Sequence, residues 1–334
     1  KNKFYYINSK IKEKTLNIIR LLLDQILWPI VKIKLRKIIK ENNVKLIHCH
    51  WGTNAPGFLK IKEYFKLPMV TFFYGHDVSI VQKSRKKSFY KCLFKKGDLF
   101  LTESRFLGDK LIKMGCPENK LIILRQGIDL NDFRFNPKKL KKGEKIKILT
   151  VGRFTEMKGI EYAVQAFAES CKKHSNIELR LMGDGELRPK IESLIDNLKI
   201  RNKVVMLGMQ PYNKLVEEML GCHIFMLPSV TSSNGDTEGQ GTVFLQAQAI
   251  GVPVVSTLHN GIPEAVINGK SGFLVPERDY IALSSKLNYL IENPETWFKM
   301  GQIGRKNIEE NFEVKKQTKK LEEIYQKLIN NETK

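Results

Sequence analysis

No apolar run in this chain stays free of charge for the roughly 18 residues that a membrane-spanning helix requires, so no transmembrane segment is expected. The opening stretch, KNKFYYINSK, lacks an apolar core followed by a small-residue cleavage site, so no signal peptide is expected there. Cysteine is scarce. The five residues, at 49, 92, 116, 171 and 222, include no CxxC pair, which argues against a zinc site and against a disulfide framework. They read as small buried hydrophobes in a reducing cytoplasm. Zinc-finger spacing, an RNP-like aromatic string and a helix-turn-helix pair are all missing, so nucleic acid is not the expected partner. Acidic residues are also few: 35 Asp and Glu stand against 57 Lys and Arg, a net charge of +22.

What is present describes a folded protein of 334 residues, 42% hydrophobic and 28% charged, long enough for two domains or one large α/β unit. Its charge is uneven. Residues 1–140 hold 30 basic and 11 acidic side chains, or +19, whereas residues 141–334 carry +3. An excess in one half points to an anionic partner for that half. Lys10–Lys40 suggests an anionic membrane surface. There Leu16, Ile19, Leu22, Leu23, Ile26 and Leu27 recur at helical spacing among lysines, Trp28 sits near the middle, and Pro29 is a break. The alternative is that such helices cover a sheet in a chain rich in Lys throughout. The expected location is cytoplasmic, peripheral at the inner face of the membrane.

Two strand–helix series alternate along the chain. The first has strands at VKLIHCH (44–50), LPMVTFF (67–73), GDLFLTES (97–104) and KLIILRQ (120–126). Residues 133–145, with Pro, Gly and clustered lysines, read as a linker. The second series has strands at 145–152, 177–183, 203–208, 223–229, 252–257 and 272–275, followed by a helical tail over 279–331. This is the pattern of two parallel, doubly wound α/β domains, with ligands expected in a cleft at the carboxyl ends of the strands. The first strong strand comes only at Val44, so opening strands of the first domain are expected to be missing from this sequence.

Four constellations carry chemistry. In VGRFTEMKG (151–159), Gly152 lets the backbone turn near a ligand, and Arg153 and Lys158 suit a diphosphate; a solvated basic loop is the other reading. MGDGE (182–186) supplies Gly183 and Gly185, which a tight turn needs with no ligand at all. In the polar loop leading to a helix near Thr242, Glu238, Gly239, Gln240 and Gly241 precede unpaired first-turn amides, an anion site. Alternatively Glu238 only stabilises that helix start, by about 0.3–1 kcal/mol. Finally, HCHWG (48–52) and FFYGHDV (72–78) place His48, His50, Tyr74, His76 and Asp77 at strand ends, in no standard metal-ligand spacing. His48, inside the strand, reads as a satisfied core group.

Taken in order, these loops, followed by STLHNGIPEAVINGKSGFLV (256–275), resemble the retaining glycosyltransferases of family 4 with the GT-B fold, and among them the bacterial colanic-acid and exopolysaccharide type. The resemblance is strongest over residues 120–290 and extends back to about Val44. It implies two Rossmann-like domains facing a cleft: an acceptor-side domain over 1–140 and a donor domain with the C-terminal helices over 141–334. It implies a hexose moved from a UDP- or GDP-sugar to a glycan or lipid-linked acceptor, with no cofactor beyond that donor and no metal. Arg153 and Lys158 would grip the donor diphosphate, Gly152 making room, and Glu238, the first residue of the Glu-x7-Glu motif, would face the sugar. Gly239, Gln240, Gly241 and Thr242 would offer amides, and Gly208 would lie near the base. Tyr74, Gly75, His76 and Asp77 would line the donor-sugar and acceptor side, and His50 the acceptor side. Departures are visible: the second Glu of the motif is Gln246, Tyr74 replaces a frequent His, and His223 a frequent Asp. They keep two other readings open, an isomerase or phosphorylase on the same scaffold and an inactive binding relic.

Overall fold

A computed structural model describes residues 28–84 and 88–330. Residues up to Leu46 form one unit and Ile47–Lys334 a second. In the first, residues 28–41 are helical (α1), with Pro29 inside the helical stretch. The helix closes through Asn43, in the left-handed region at φ 49, and a bond from the Val44 amide to the Ile39 carbonyl. The apolar positions from Leu16 to Leu27 lie outside the described residues. No described helix is long and apolar enough to cross a membrane.

The second unit holds two parallel sheets. The first runs β1 (Ile47–His50), β2 (Met69–Phe73), β3 (Leu99–Thr102) and β4 (Leu121–Ile123), in that spatial order. Between them lie α2 (Leu59–Phe65), α3 (Gly75–Ser84), α4 (Lys91–Lys96) and α5 (Arg105–Lys113). β2 and β3 are buried along their whole length, as strands covered on both faces must be, which is why MVTFF and LFLT do not alternate. Phe73, Phe94, Phe100, Leu107 and Leu111 fill this core.

The second sheet has the order β10-β9-β8-β5-β6-β7. In chain order its elements are β5 (Ile146–Val151), α6 (Ile160–Cys171), β6 (Ile177–Met182), α7 (Arg188–Asn197), β7 (Val204–Gly208), α8 (Tyr212–Gly221) and β8 (Ile224–Leu227). Then follow α9 (Thr242–Ile250), β9 (Val254–Thr257), α10 (Ile262–Ala265) and β10 (Gly272–Val275). Winding turns one way through β5, β6 and β7 and the other through β8, β9 and β10. The reversal therefore falls between β5 and β8, and a crevice opens outside their carboxyl ends. All ten strands lie within the runs expected from the sequence, and the two sheets make this a GT-B architecture.

Three particulars differ from expectation. The stretch 133–145 carries no strand but is not wholly solvated, since Phe133 and Lys138 are buried and the Lys138 ammonium donates to the Leu220 carbonyl at 2.5 Å. The tail is three helices, α11 (Tyr280–Glu292), α12 (Thr296–Asn311) and α13 (Val314–Ile329); α11 and α12 pack on α6 and α9 of the second sheet, while α13 reaches the first. The Val314 amide bonds the Ile128 carbonyl at 3.0 Å, and Tyr325 on α13 brings its hydroxyl 2.5 Å from Nδ1 of His48 on β1. Among the cysteines, Cys49, Cys116 and Cys222 are buried, but Cys92 is exposed.

Candidate functional site

The loops after β5 and β8 flank the topological reversal, and both are built to lie close to neighbours. Gly183, at φ +133 after β6, sits so near the Gly152 carbonyl that a Cβ would come within 1.9 Å of its oxygen. The Gly183 amide in turn donates to the Gly208 carbonyl at 2.8 Å, so the ends of β5, β6 and β7 are laced together by backbone. This favours the turn-and-packing role for Gly183 and Gly185. Gly152 leaves space that Lys158 fills: a Cβ there would sit 3.4 Å from the lysine stem. Arg153 projects into solvent, with no side-chain partner among the described residues.

Across the reversal, Glu238 is held by its main chain. Its amide donates to Nε2 of His259 at 3.2 Å, and its carbonyl accepts from Asn260 at 2.9 Å. His259 is fully buried, with Nδ1 2.5 Å from Oε1 of Glu277. An Nε2 that accepts from an amide leaves the proton on Nδ1, so the ring is a neutral donor to Glu277; burial lowers its pKa in the same sense. Glu277 is itself tied to the Thr231 amide at 2.8 Å. Thus fixed, the Glu238 carboxylate pairs with the Lys158 ammonium, the two side chains being only 13% and 15% exposed.

Helix α9 begins at Thr242, as the sequence predicts, with Gly241 as its cap at φ 75. The amides of Gly239, Gln240, Gly241 and Thr242 find no acceptor among the described residues. Gln240 and Gln246 are buried, and the Oε1 of each is without a partner among them. Amide donors and acceptors without partners among the described residues therefore lie in the stretch that carries Glu238 and its Lys158 cation, the chemistry of a polar ligand site. Gly208 ends β7 in the left-handed region at φ +66, its carbonyl taken by the Gly183 amide.

The first sheet supplies the opposing wall. The Tyr74 hydroxyl lies 2.7 Å from Nδ1 of His50 and its ring stacks on Phe72, while burial pushes its pKa up to about 12. A Cβ at Gly75 would reach the Thr237 carbonyl at 3.2 Å and the Gly239 amide at 3.3 Å, so this turn abuts the Glu238 loop directly. His76 is exposed. Asp77 differs from expectation: it is fully buried, its oxygens accepting from the Thr53 amide at 3.1 Å and the Tyr74 amide at 3.0 Å. It organises the wall from behind and does not face the cleft. His48 meets the core reading in part, with Nδ1 bonded to Tyr325 but a buried Nε2 that has no partner among the described residues; burial, then neighbouring His50, lowers its pKa to about 4. His223 is likewise structural, accepting from the Lys147 amide at 3.0 Å beneath Trp297.

Three carboxylates have roles that were not legible in the sequence, although Glu264 stands within the 256–275 stretch. Glu103, at the end of β3, is 4% exposed, and the Gln126 amide donates to it at 2.5 Å. Gln126 also accepts from the Thr242 hydroxyl at 2.7 Å, so one chain of bonds joins the first sheet to the start of α9. Burial, with Glu238 as the nearby like charge, raises the Glu103 pKa to about 7. Glu264 on α10 caps α5 from the other half, accepting from the Arg105 and Phe106 amides at 3.1 Å each. Glu277 acts through His259, as described above.

The profile of the family described as "Glycosyl transferases group 1" matches residues 132–307, and that of "Glycosyltransferase Family 4" matches residues 10–132. The chain is 35% identical over 242 residues to the putative colanic acid biosynthesis glycosyltransferase WcaL of Escherichia coli K12, covering 71% of this chain and 59% of that protein. It is 31% identical over 291 residues to the amylovoran biosynthesis glycosyltransferase AmsK of Erwinia amylovora, covering 86% and 70%. The chain thus spans about three-fifths of the length of WcaL. In three dimensions it is similar to Anabaena HepE, solved in complex with UDP, at a TM-score of 0.75 and 17% identity, covering 91% of this chain and 88% of that one. On the profile match over more than half its length, and on the relatives, the chain belongs to the group 1 glycosyl transferases.

Proposed function

We propose that this chain moves a hexose from a nucleotide-diphosphate sugar to a glycan or lipid-linked acceptor during surface polysaccharide assembly, with retention at the anomeric carbon. The observation that carries the reading is the Lys158–Glu238 pair beside four amides that have no acceptor among the described residues, at the reversal of the second sheet. Breaking the bond between anomeric carbon and phosphate builds charge on the departing oxygen, and fixed donors there stabilise the transition state. In this reading Lys158 turns from Glu238 to the diphosphate, Arg153 joins it from solvent, and the amides of Gly241 and Thr242 take the remaining charge. Released from its cation, Glu238 faces the hydroxyls of the transferred sugar. Gln246 offers its orphaned Oε1 to a ribose hydroxyl, and Gly208 leaves room for the base. The acceptor enters along Tyr74, His76 and His50, attacks from the front face and gives its proton to the leaving phosphate. No side chain is a covalent nucleophile, and neither metal nor cofactor is required.

The complexes of HepE with UDP and with UDP-glucose support a uridine donor, and the names of WcaL and AmsK support an exopolysaccharide product. The test is a melting curve of the chain with UDP, GDP and their hexose conjugates. One class should raise the melting temperature, because a ligand at 100 times its Kd adds about 2.7 kcal/mol. If no nucleotide shifts the transition and no sugar nucleotide is turned over, the proposal fails.

We further propose peripheral attachment to the inner face of the membrane through the basic first half. In α1, Ile30, Ile33 and Ile38 are 52%, 71% and 50% exposed among lysines. The protein should sediment with vesicles containing phosphatidylglycerol and, at 0.15 M salt, not with phosphatidylcholine alone; equal recovery with both removes the electrostatic attachment.

A further inference from the structure

Six described residues other than glycine adopt positive φ: Asn43, Trp51, Lys66, Lys199, Asn260 and Arg278. Asn43, Lys66 and Lys199 close helices, where the left-handed region is ordinary, and asparagine tolerates it anywhere. Trp51, at φ 71, is the aromatic of the group and closes no helix, since it follows β1 directly. A bulky residue there is strained, and strain persists only where the surroundings enforce it.

Here they do. The next residue, Gly52, lies so tightly on the Phe73 ring that a Cβ would come within 2.1 Å of it. Thr53 is tethered by its amide to the buried Asp77, and that same carboxylate holds the Tyr74 amide. The indole is thereby set against the Tyr74 ring, with centroids 4.6 Å apart, and edge-on to His76 at 6.4 Å. Tyr74 is fixed in its turn by His50 and Phe72. Despite these supports the indole remains 44% exposed. A large apolar face is thus held rigid and wet at the mouth of the cleft, one ring away from the Gly75 turn that abuts Gly239.

We propose that Trp51 is the platform on which a pyranose ring of the acceptor glycan stacks. A pyranose turns a face of axial C–H groups to an aromatic ring, whose negative π face attracts them and whose area replaces water. Hydroxyls at the ring edge then meet His50, His76 and the Tyr74 hydroxyl, which supply direction. The position fits the acceptor and not the donor, because the phosphate-facing amides and Lys158 lie on the other side of the Gly75–Gly239 contact. The assignment deepens the sugar-transfer reading and rests on it for the word acceptor, but the stacking itself is tested apart from transfer.

The experiment is saturation-transfer NMR on the full chain with methyl β-D-glucopyranoside, methyl β-D-galactopyranoside and maltose, and separately with UDP and GDP. At least one sugar should be saturated through its ring C–H protons. That signal should fall fivefold or more in Trp51→Ala and stay within twofold in Trp51→Tyr, with nucleotide signals unchanged in both. Trp51→Gly should lose the sugar signal as Trp51→Ala does, with the nucleotide signals again unchanged. Sugar signals undiminished in Trp51→Ala, no sugar signal in a parent that binds nucleotide, or loss of nucleotide-base signals instead would each overturn the platform. If sugars saturate through Trp51 while neither nucleotide binds, the platform stands and the transfer reading falls.

Discussion

Replacing Lys158 by methionine is expected to lower sugar transfer by about 10²–10³, the scale found when one fixed donor to a developing oxyanion is removed. The substitution also does something else. It leaves the Glu238 carboxylate, only 13% exposed, without its cation, and uncompensated charge at such depth destabilises the fold by about 1–3 kcal/mol. The two effects are separable. In Lys158→Met/Glu238→Gln no charge is stranded, so stability measured by urea unfolding should return towards the parent. Transfer should not return, because the ammonium that meets the diphosphate is still missing. If the double variant regains the parent rate, Lys158 serves only Glu238 and the diphosphate role is wrong. Arg153→Ala provides the complementary control. That side chain is exposed and has no described partner, so its loss should leave stability within about 0.5 kcal/mol. Its cost should fall on kcat/KM for the donor alone, and an Arg153→Ala protein with unchanged kcat/KM would place the guanidinium outside the site.

How much of this was legible in the sequence follows from how local each signal is. The central strands were visible because a parallel strand buried on both faces is a short apolar run, as in MVTFF and LFLT, and others, such as IELRLM, because buried and part-exposed residues alternate. The start of α9 was visible because a glycine cap followed by Thr242 is a signal confined to two adjacent positions. Lys158 and Glu238 were visible as members of loops, but their pairing across 80 positions was not, since nothing in either loop encodes the other. Asp77 was misplaced for a related reason. A carboxylate at a strand end suggests a ligand, and only the fold reveals that the Thr53 and Tyr74 amides take its oxygens first. Glu103 carried no motif, and its setting appears only once Gln126 and Glu238 are brought beside it; Glu264 stands within the 256–275 stretch, but nothing there encodes the Arg105 and Phe106 amides it takes from the first sheet's α5.

Glu103→Gln is the second substitution with a large expected effect, and its sign runs against intuition for a buried acid. The carboxyl is held at about 7 in the folded chain, against a reference of 4.5, first because burial strips its water and then because Glu238 is near. Below pH 4.5 both folded and unfolded chains carry the proton, and the group has no pH-dependent effect. Between 4.5 and about 7 the unfolded chain loses its proton while the folded one keeps it, so stability falls as pH rises. Above about 7 both are ionised, and the whole difference, about 3 kcal/mol, weighs against folding. Glutamine has the same shape and keeps an acceptor for Gln126 with no charge to desolvate. The variant should therefore match the parent near pH 4.5 and exceed it by up to about 3 kcal/mol at pH 8, most of the gain appearing between those limits. Urea midpoints of both proteins across pH 4.5–8 measure this directly. A difference that is flat with pH would mean that Glu103 ionises normally, and that Gln126 links Thr242 to a carboxylate already charged at neutral pH.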